Sequence, residues 1–279
     1  MKAWVSKVSR RAVLAAALLA IALVGSLAIY RDRPDSDLAS PARTVPSGLV
    51  RFDAPEGRRL LFESEAHAAF LPLISHFETQ KSQTYCGIAS IAMVLNALEV
   101  PAPKAAAYGS YRLFTQENVL NSLTDSVISD RAVARRGMFL AEVAQVLGVY
   151  GVSVDIHYAS ASGIEAFRTL AVDYLGNPGR HVIVNYSRSA LGQAGPGHIS
   201  PLGAYDADSD RFLILDVSRY KAPAVWVSAE QLFRAMAEPK RPDNPDARGF
   251  LLIRTPSDVN RDGSGCRKAH LKSTDPGRD

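Results

Sequence analysis

One apolar helix, predicted from Gly87 to Leu98, constrains this fold more than any other stretch of the sequence. Ile88, Ile91 and Leu95 recur at spacings of three and four residues, and Pro101 follows the last turn. Because so apolar a face is not stable in water, other elements must cover the helix. The chain therefore needs a core built from the residues on either side of it.

Two more helices and six strands are predicted along the chain. The helices run from about Met138 to Val149 and from Ser162 to Leu175, each closed by a nearby glycine. The polar segment 206–210 separates two β-branched runs, which predicts a hairpin between residues 199 and 217. The predicted strands are 152–158, 181–186, 199–205, 211–217, 224–227 and 249–254. The predicted fold class is therefore α+β, with helices first and a mostly antiparallel sheet after them.

The N-terminus has the order of an export signal. A basic stretch ends in Arg10-Arg11, residues 12–30 carry no charge, and a charged, proline-rich stretch follows. The Ser-Arg-Arg-Ala-Val-Leu stretch also resembles a twin-arginine signal, and Ala28 ends the best candidate cleavage site. The apolar run is long enough to be an uncleaved membrane anchor instead. We therefore expect a signal peptide or anchor in residues 1–33, a linker over 34–63, and a body in the periplasm or anchored facing it.

Charge, cysteine and histidine content exclude several classes of function. The chain has 32 basic and 28 acidic residues, but six of the basic ones lie in residues 1–33 against one acid, so the body is close to neutral. No nucleic-acid partner is expected, because no basic stripe is present. Cys266 lies in a polar tail, 256–279, that we expect to be disordered and to leave this cysteine unpaired. The six histidines are scattered, so no metal site and no required cofactor are predicted.

Cys86 is the candidate nucleophile. It stands immediately before the predicted apolar helix, where peptide N–H groups and the helix dipole favour a thiolate. Gln80, six residues upstream, is placed to offer its side-chain amide to an oxyanion beside the sulfur, together with the Cys86 N–H. Taken alone, Cys86 is better explained as a buried structural cysteine and Gln80 as a surface residue.

His198 and Asp216 supply the rest of a nucleophilic site. His198 follows Gly195-Pro196-Gly197 and opens an apolar strand, while Asp216 ends the next strand of the predicted hairpin. The hairpin brings the carboxylate beside the imidazole, where it can orient the ring. Each residue alone also fits a turn or capping role. Together, in the order Cys, His, Asp with Gln ahead of the Cys, they match a papain-like site.

Six stretches of the sequence match the motifs of one known family, in order and roughly in spacing. They are Gln83-Thr84-Tyr85-Cys86-Gly87-Ile88-Ala89-Ser90, Phe114-Thr115-Gln116-Glu117-Asn118, Arg136-Gly137-Met138, Val182-Ile183-Val184-Asn185-Tyr186, Gly197-His198-Ile199-Ser200-Pro201 and Leu215-Asp216-Val217-Ser218-Arg219-Tyr220-Lys221. From about Ser64 to Arg254, the sequence thus resembles the catalytic domain of the phytochelatin synthase family. This likeness implies a papain-like fold over a catalytic domain at 64–255, with Cys86, His198 and Asp216 as the triad and Gln80 as the oxyanion donor.

The resemblance also implies the substrate. The family attacks the Cys–Gly amide of glutathione, releases glycine and holds γ-Glu-Cys as a thioester. Arg248 matches an arginine that holds the γ-glutamyl group, and Gly197, Arg219 and Lys221 are further candidate substrate-binding residues. The acidic partner of that arginine has no clear match, since Arg241 stands near its place and Asp243 is the nearest substitute.

Further expectations follow from the same likeness. Only about 25 residues follow Arg254, as in the short prokaryotic members, so hydrolysis of glutathione is expected to exceed phytochelatin synthesis. Heavy-metal ions such as Cd²⁺ and Zn²⁺ are expected to act as thiolate complexes of the substrate, and γ-glutamyl peptides are further partners. The oligomeric state stays open, a dimer included.

Two other functions remain compatible with the sequence. An exported cysteine peptidase of different specificity shares the triad but needs a peptide cleft, and Arg219, Lys221 and Arg248 discriminate against it. An inactive module that binds thiols or metal peptides keeps the fold without needing Gln80 and Asp216. The joint presence of those two residues argues for an enzyme.

Overall fold

A seven-stranded sheet is the frame of residues 45–238 and 248–255, the part of the chain that the computed structural model describes. Every strand pair in it is antiparallel, which confirms the predicted sheet type. The strands are β1 (Val50–Arg51), β2 (Ser153–Tyr158), β3 (Arg180–Ser187), β4 (Gly197–Asp206), β5 (Arg211–Ile214), β6 (Val225–Ser228) and β7 (Gly249–Arg254). Their spatial order in the sheet is β1-β6-β5-β4-β3-β7-β2.

Helices precede the long strands and also interrupt them. The mixture of helix and antiparallel sheet confirms the α+β class, but the helices do not all come first. The short strand at 50–51 precedes every described helix, and two of the helices lie between later strands. The helices are α1 (Pro55–Glu63), α2 (Phe70–Ile74), α3 (Cys86–Ala97), α4 (Asp130–Arg136), α5 (Leu140–Val149), α6 (Ile164–Gly176) and α7 (Ala229–Ala237).

The predicted central helix, α3, is buried on all sides rather than on one face. Every residue from Cys86 to Asn96 is buried, because α3 packs against β4 on one side and against α2 and α5 on others. A helix without charged residues is expected to be buried on all sides in this way. It fixes the first turn of α3 against the sheet, and Cys86 lies in that turn.

The predicted hairpin forms, but its second strand is shorter than expected. β5 ends at Ile214, which pairs with Leu202, and Leu215 then donates its N–H to the carbonyl of Pro201 at 3.0 Å. Because proline has no N–H, Pro201 cannot return a bond to Leu215, and the ladder stops there. Asp216 therefore follows the strand instead of ending it.

Part of the segment predicted as a linker is folded. Residues 50–63 form β1, which pairs with β6, and α1, which begins with a proline in its first turn. A Cβ at Gly57 would lie 1.9 Å from the carbonyl oxygen of Arg51, so only glycine permits this close approach of α1 to Arg51. The Gly57 carbonyl accepts the indole N–H of Trp226 at 2.9 Å, which ties α1 to β6.

Several expectations lie outside the described residues. They are the signal or anchor in 1–33, the remainder of the linker up to residue 44, the tail at 256–279 with Cys266, and the pair Arg241 and Asp243. Within the described ranges, no helix has the length and apolarity needed to cross a membrane.

Candidate active site

Cys86 begins α3 at one end of a cavity of about 290 Å³. Its side chain is only 8% exposed. Burial acts to raise the pKa of Cys86, but the hydrogen bond and charge of His198 and the N–H groups of Ile199 and Gly87 outweigh burial, so the pKa lies below that of a free thiol. These contacts favour the thiolate form of the sulfur over the thiol.

His198 lies at the start of β4, beside the cysteine. Its Nε2 is 2.8 Å from Oδ1 of Asp216, which leaves the other ring nitrogen for Cys86. Burial alone would lower the pKa of His198, but the charge and hydrogen bond of Asp216, together with Cys86, raise it. Asp216 and Cys86 therefore favour the imidazolium form of the ring over the neutral form.

Asp216 is fully buried and collects several donors. The N–H of Ser218 and the ring of His198 donate to it at 2.8 Å, Arg188 donates at 2.7 Å, and the Tyr186 hydroxyl at 3.4 Å. Burial acts to raise the pKa of Asp216, but His198 and Arg188 outweigh it and hold the pKa at about 2. The carboxylate thus stays ionised and fixes the orientation of the imidazole. The structure brings together the three residues that the sequence analysis selected as a triad.

Gln80 lies close to the site, but its amide is already engaged. Its side-chain Nε2 donates to the Ser82 carbonyl at 2.6 Å and to the Tyr220 hydroxyl at 2.9 Å, while its Oε1 is buried without a partner among the described residues. Gln80 is also not among the residues that line the cavity beside Cys86. To serve as an oxyanion donor, it must exchange one of these two bonds for the substrate.

The loop that carries Gln80 is clamped by Gln116. The Gln116 carboxamide accepts the Lys81 N–H at 2.8 Å and donates to the Thr79 carbonyl at 3.0 Å and to Glu78 at 2.9 Å. The Gln116 side chain thus bonds to the backbone on both sides of Gln80, as a neighbouring strand would. The motif at 114–118 contributed to the family resemblance, but the sequence alone gave no reason to connect Gln116 with Gln80.

Arg248 shares the cavity with Cys86. Gly249, which follows it, approaches the carbonyl of His157 so closely that a Cβ would lie 2.0 Å from that oxygen, which fixes the start of β7 and hence Arg248. Arg248 is 5% exposed, and its Nη1 donates to the Glu238 carbonyl at 2.6 Å. Its buried Nε has no partner among the described residues, and burial lowers the pKa of its guanidinium. Such a donor favours an anionic or carbonyl ligand in the cavity.

The acidic partner of Arg248 in the described chain is Glu238. Its carboxylate lies 3.8 Å from Arg248 Nη1, because the end of α7 reaches the start of β7. Asp243, the substitute expected from the sequence, lies outside the described residues, and Glu238 was not predicted for this role. The sequence gave no local signal for this pair, because ten residues separate Glu238 from Arg248 and the Glu238 carboxylate is half-exposed.

The other candidate substrate-binding residues do not all line the cavity beside Cys86. Gly197 lines the cavity of Cys86, and a Cβ on it would contact Arg248 at 3.6 Å. Lys221 donates to Oε1 of Gln83 at 3.0 Å, so it touches that cavity only through Gln83. Arg219 packs on the ring of Phe77 at 5.0 Å and lines a different cavity. Arg219 and Lys221 are therefore not brought into direct contact with the space beside Cys86.

The arrangement supports nucleophilic acyl chemistry. The Cys86 thiolate can attack a carbonyl carbon, the imidazolium of His198 can give its proton to the leaving amine, and the cavity supplies Arg248 for an anionic end of the substrate. Within residues 45–238 and 248–255, no group of three His, Cys, Asp or Glu side chains is arranged to hold a metal ion.

Comparison with known proteins gives a consistent result. The model of the phytochelatin synthase family matches residues 41–250. Glutathione gamma-glutamylcysteinyltransferase 3 of Lotus japonicus is 34% identical over 215 residues, which cover 76% of this chain and 43% of that protein. Glutathione gamma-glutamylcysteinyltransferase 1 of Arabidopsis thaliana is 34% identical over 77% of this chain and 44% of its own length.

A fungal relative extends the comparison. The glutathione gamma-glutamylcysteinyltransferase of Schizosaccharomyces pombe is 27% identical over 76% of this chain and 50% of its own length. The chain therefore spans half or less of the length of these curated relatives.

Proposed function

Because the chain belongs to the phytochelatin synthase family, we propose that it is an enzyme that cleaves the Cys–Gly amide of glutathione and transfers the γ-glutamylcysteinyl group. The observation that carries the proposal is the buried Cys86–His198–Asp216 constellation, of which Cys86 and His198 line one cavity with Arg248. The names of the relatives support glutathione as the substrate. The order of the triad supports a papain-like fold for the body.

In the proposed first half-reaction, the Cys86 sulfur attacks the carbonyl carbon of the substrate's cysteinyl residue. The tetrahedral oxyanion lies at the first turn of α3, where the Cys86 N–H points, and Gln80 exchanges a hydrogen bond to become the second donor. His198 then gives its proton to the glycine nitrogen, the C–N bond breaks, glycine leaves and a thioester remains.

In the second half-reaction, His198 takes a proton from the acceptor as it attacks the thioester. With water as acceptor, the products are γ-Glu-Cys and the free thiolate. With the amino group of a second γ-glutamyl peptide as acceptor, the product is a chain longer by one γ-Glu-Cys unit. We propose that water is the main acceptor.

Arg248 is proposed to hold the γ-glutamyl carboxylate. Its buried Nε lacks an acceptor among the described residues, and a carboxylate supplies one. Heavy-metal ions are proposed to enter as thiolate complexes of the substrate and not as a resident cofactor. Export to the periplasm, as a free or membrane-anchored protein, is proposed from the basic and apolar composition of residues 1–33.

The test is product analysis by mass spectrometry on the full 279-residue chain incubated with glutathione, with and without Cd²⁺. We expect glycine and γ-Glu-Cys from the wild type and from Cys266→Ala, which removes the other cysteine. We expect neither product from Cys86→Ala. The amount of (γ-Glu-Cys)₂-Gly relative to γ-Glu-Cys measures transfer against hydrolysis. A folded wild type without turnover would refute the proposal and favour a peptidase or a binding module.

A further inference from the structure

Arg188 is a buried arginine in direct contact with the candidate triad, and the mechanism above does not use it. It follows β3, is 2% exposed and donates through Nη2 to Asp216 at 2.7 Å. Its Nη1 donates to Gln193 Oε1 at 3.0 Å. Asp216 thus lies between two cationic groups, His198 on one side and Arg188 on the other.

The buried groups of the triad carry a net charge in their reactive form, and Arg188 balances it. The reactive form of the site holds a thiolate on Cys86, an imidazolium on His198 and a carboxylate on Asp216, which sum to a net negative charge. Burying a net charge is costly, and an ion pair is tolerated in the interior only when it is balanced and hydrogen-bonded. Arg188 supplies the missing positive charge.

The other groups facing the triad do not supply this charge. Tyr186 lies against Asp216, and burial followed by the negative charge of Asp216 raises its pKa well above the usual range, so its hydroxyl stays neutral. Arg136 and Arg248 line the cavity on the side open to substrate. Among the described residues, the cationic side chains that donate to Asp216 are Arg188 and His198, at 2.7 and 2.8 Å.

We propose that Arg188 is a positioning residue whose fixed charge balances Asp216, so that the Cys86–His198 pair adopts its thiolate–imidazolium form at lower pH than the other three groups alone would allow. This inference rests on the proposed use of Cys86 as the nucleophile. It differs from a packing role, because a packing role depends on the shape of the side chain and not on its charge.

The test is the pH dependence of iodoacetamide alkylation at Cys86 in the full-length chain. The Cys86 peptide is quantified by mass spectrometry, so that Cys266 does not contribute to the signal. Arg188→Met is expected to move the acidic limb of the alkylation profile upward by about one pH unit, which corresponds to roughly tenfold slower alkylation below the limb. Arg188→Lys keeps the charge and is expected to restore the wild-type limb.

Two further variants separate charge from structure. The double variant Arg188→Met with Asp216→Asn removes one charge of each sign, so its acidic limb is expected to return toward that of the wild type although turnover is lost. Arg168→Met is the matched control, since Arg168 pairs with Asp210 and Glu165 and contacts no member of the triad. If Arg188→Met does not fold, Arg188→Gln carries the same prediction.

The outcomes distinguish this inference from the proposed function, because alkylation needs no substrate. An unmoved limb in Arg188→Met, or a double variant that keeps the limb of Arg188→Met, would overturn the inference even if glutathione is cleaved. A shifted limb that the double variant restores would support it even if glutathione proves not to be the substrate.

Discussion

Gln116 offers the sharpest test of how the site is held, because it touches the Gln80 loop and neither His198 nor Asp216. The substitution Gln116→Ala removes three hydrogen bonds, to Thr79, Lys81 and Glu78. At about 1 kcal/mol for each bond, the loop loses about 3 kcal/mol of local stabilisation. One backbone bond remains, from the Gln80 N–H to the Val217 carbonyl at 2.9 Å.

The expected effect follows from this loss. A penalty of about 3 kcal/mol corresponds to about a 10²-fold change in an equilibrium, and the remaining bond to Val217 reduces it. We therefore expect kcat for glutathione cleavage to fall between about tenfold and 10²-fold. KM should change little, because Arg248 is untouched, and the pH profile of Cys86 alkylation should stay that of the wild type.

The matched control is Asn121→Ala. Asn121 also makes three hydrogen bonds through its carboxamide, to Leu123, Asn118 and Tyr150, and none of them reaches the Gln80 loop. Both variants should lose similar stability in urea unfolding, but only Gln116→Ala should lose kcat. Equal kcat values in the two variants would show that Gln116 does not support catalysis by holding the Gln80 loop.

Three other predictions follow from the same geometry. Gln80→Ala should lower kcat by roughly 10²–10³ if its amide becomes an oxyanion donor, and an unchanged kcat would remove that role. Arg248→Met should raise KM for glutathione by at least about tenfold, since a charge-assisted bond is lost, while Cys86 alkylation stays unchanged; an unchanged KM would place the carboxylate elsewhere. His181 is buried without a partner for either ring nitrogen among the described residues, and burial lowers its pKa to about 4. As the pH falls, the unfolded chain protonates this ring before the folded protein does. The free energy of unfolding should therefore keep its full value above about pH 6.5 and fall by up to about 3 kcal/mol toward pH 4. His181→Phe should lessen that decline in urea titrations at the two pH values, and the same decline in both proteins would contradict this prediction.

Local sequence signals predicted the strands β2 to β7 and the helices α3, α5 and α6, but not α1, α2, α4 or α7. The apolar spacing after Cys86 placed α3 within one residue of its observed start, and the β-branched runs placed the long strands closely. The folded part of the expected linker escaped detection because α1 buries only Gly57 and Leu60, which is too few residues for a periodic pattern. The early end of β5 depends on Pro201 in the partner strand, which no pattern within β5 reveals.

The candidate site was predictable where its residues flank a recognisable element. Cys86 begins a helix, His198 lies at the start of β4 and Asp216 follows β5. The hairpin of β4 and β5 was enough to predict the pairing of His198 with Asp216. Arg188, Gln116 and Glu238 act through tertiary contacts, and charged or amide side chains of this kind are usually solvent-exposed. Sequence spacing alone could not assign them to the site.

In the proposed mechanism, Cys86 carries the γ-glutamylcysteinyl group as a thioester. The most direct test is rapid acid quenching of the wild-type chain during turnover of glutathione, followed by mass spectrometry of the peptide that contains Cys86. We predict a γ-Glu-Cys adduct on Cys86 that hydroxylamine removes and that is absent from Cys86→Ala. Cleavage of glutathione by Cys86→Ala at the wild-type rate, or turnover in the wild type with an adduct on another residue, would contradict the account.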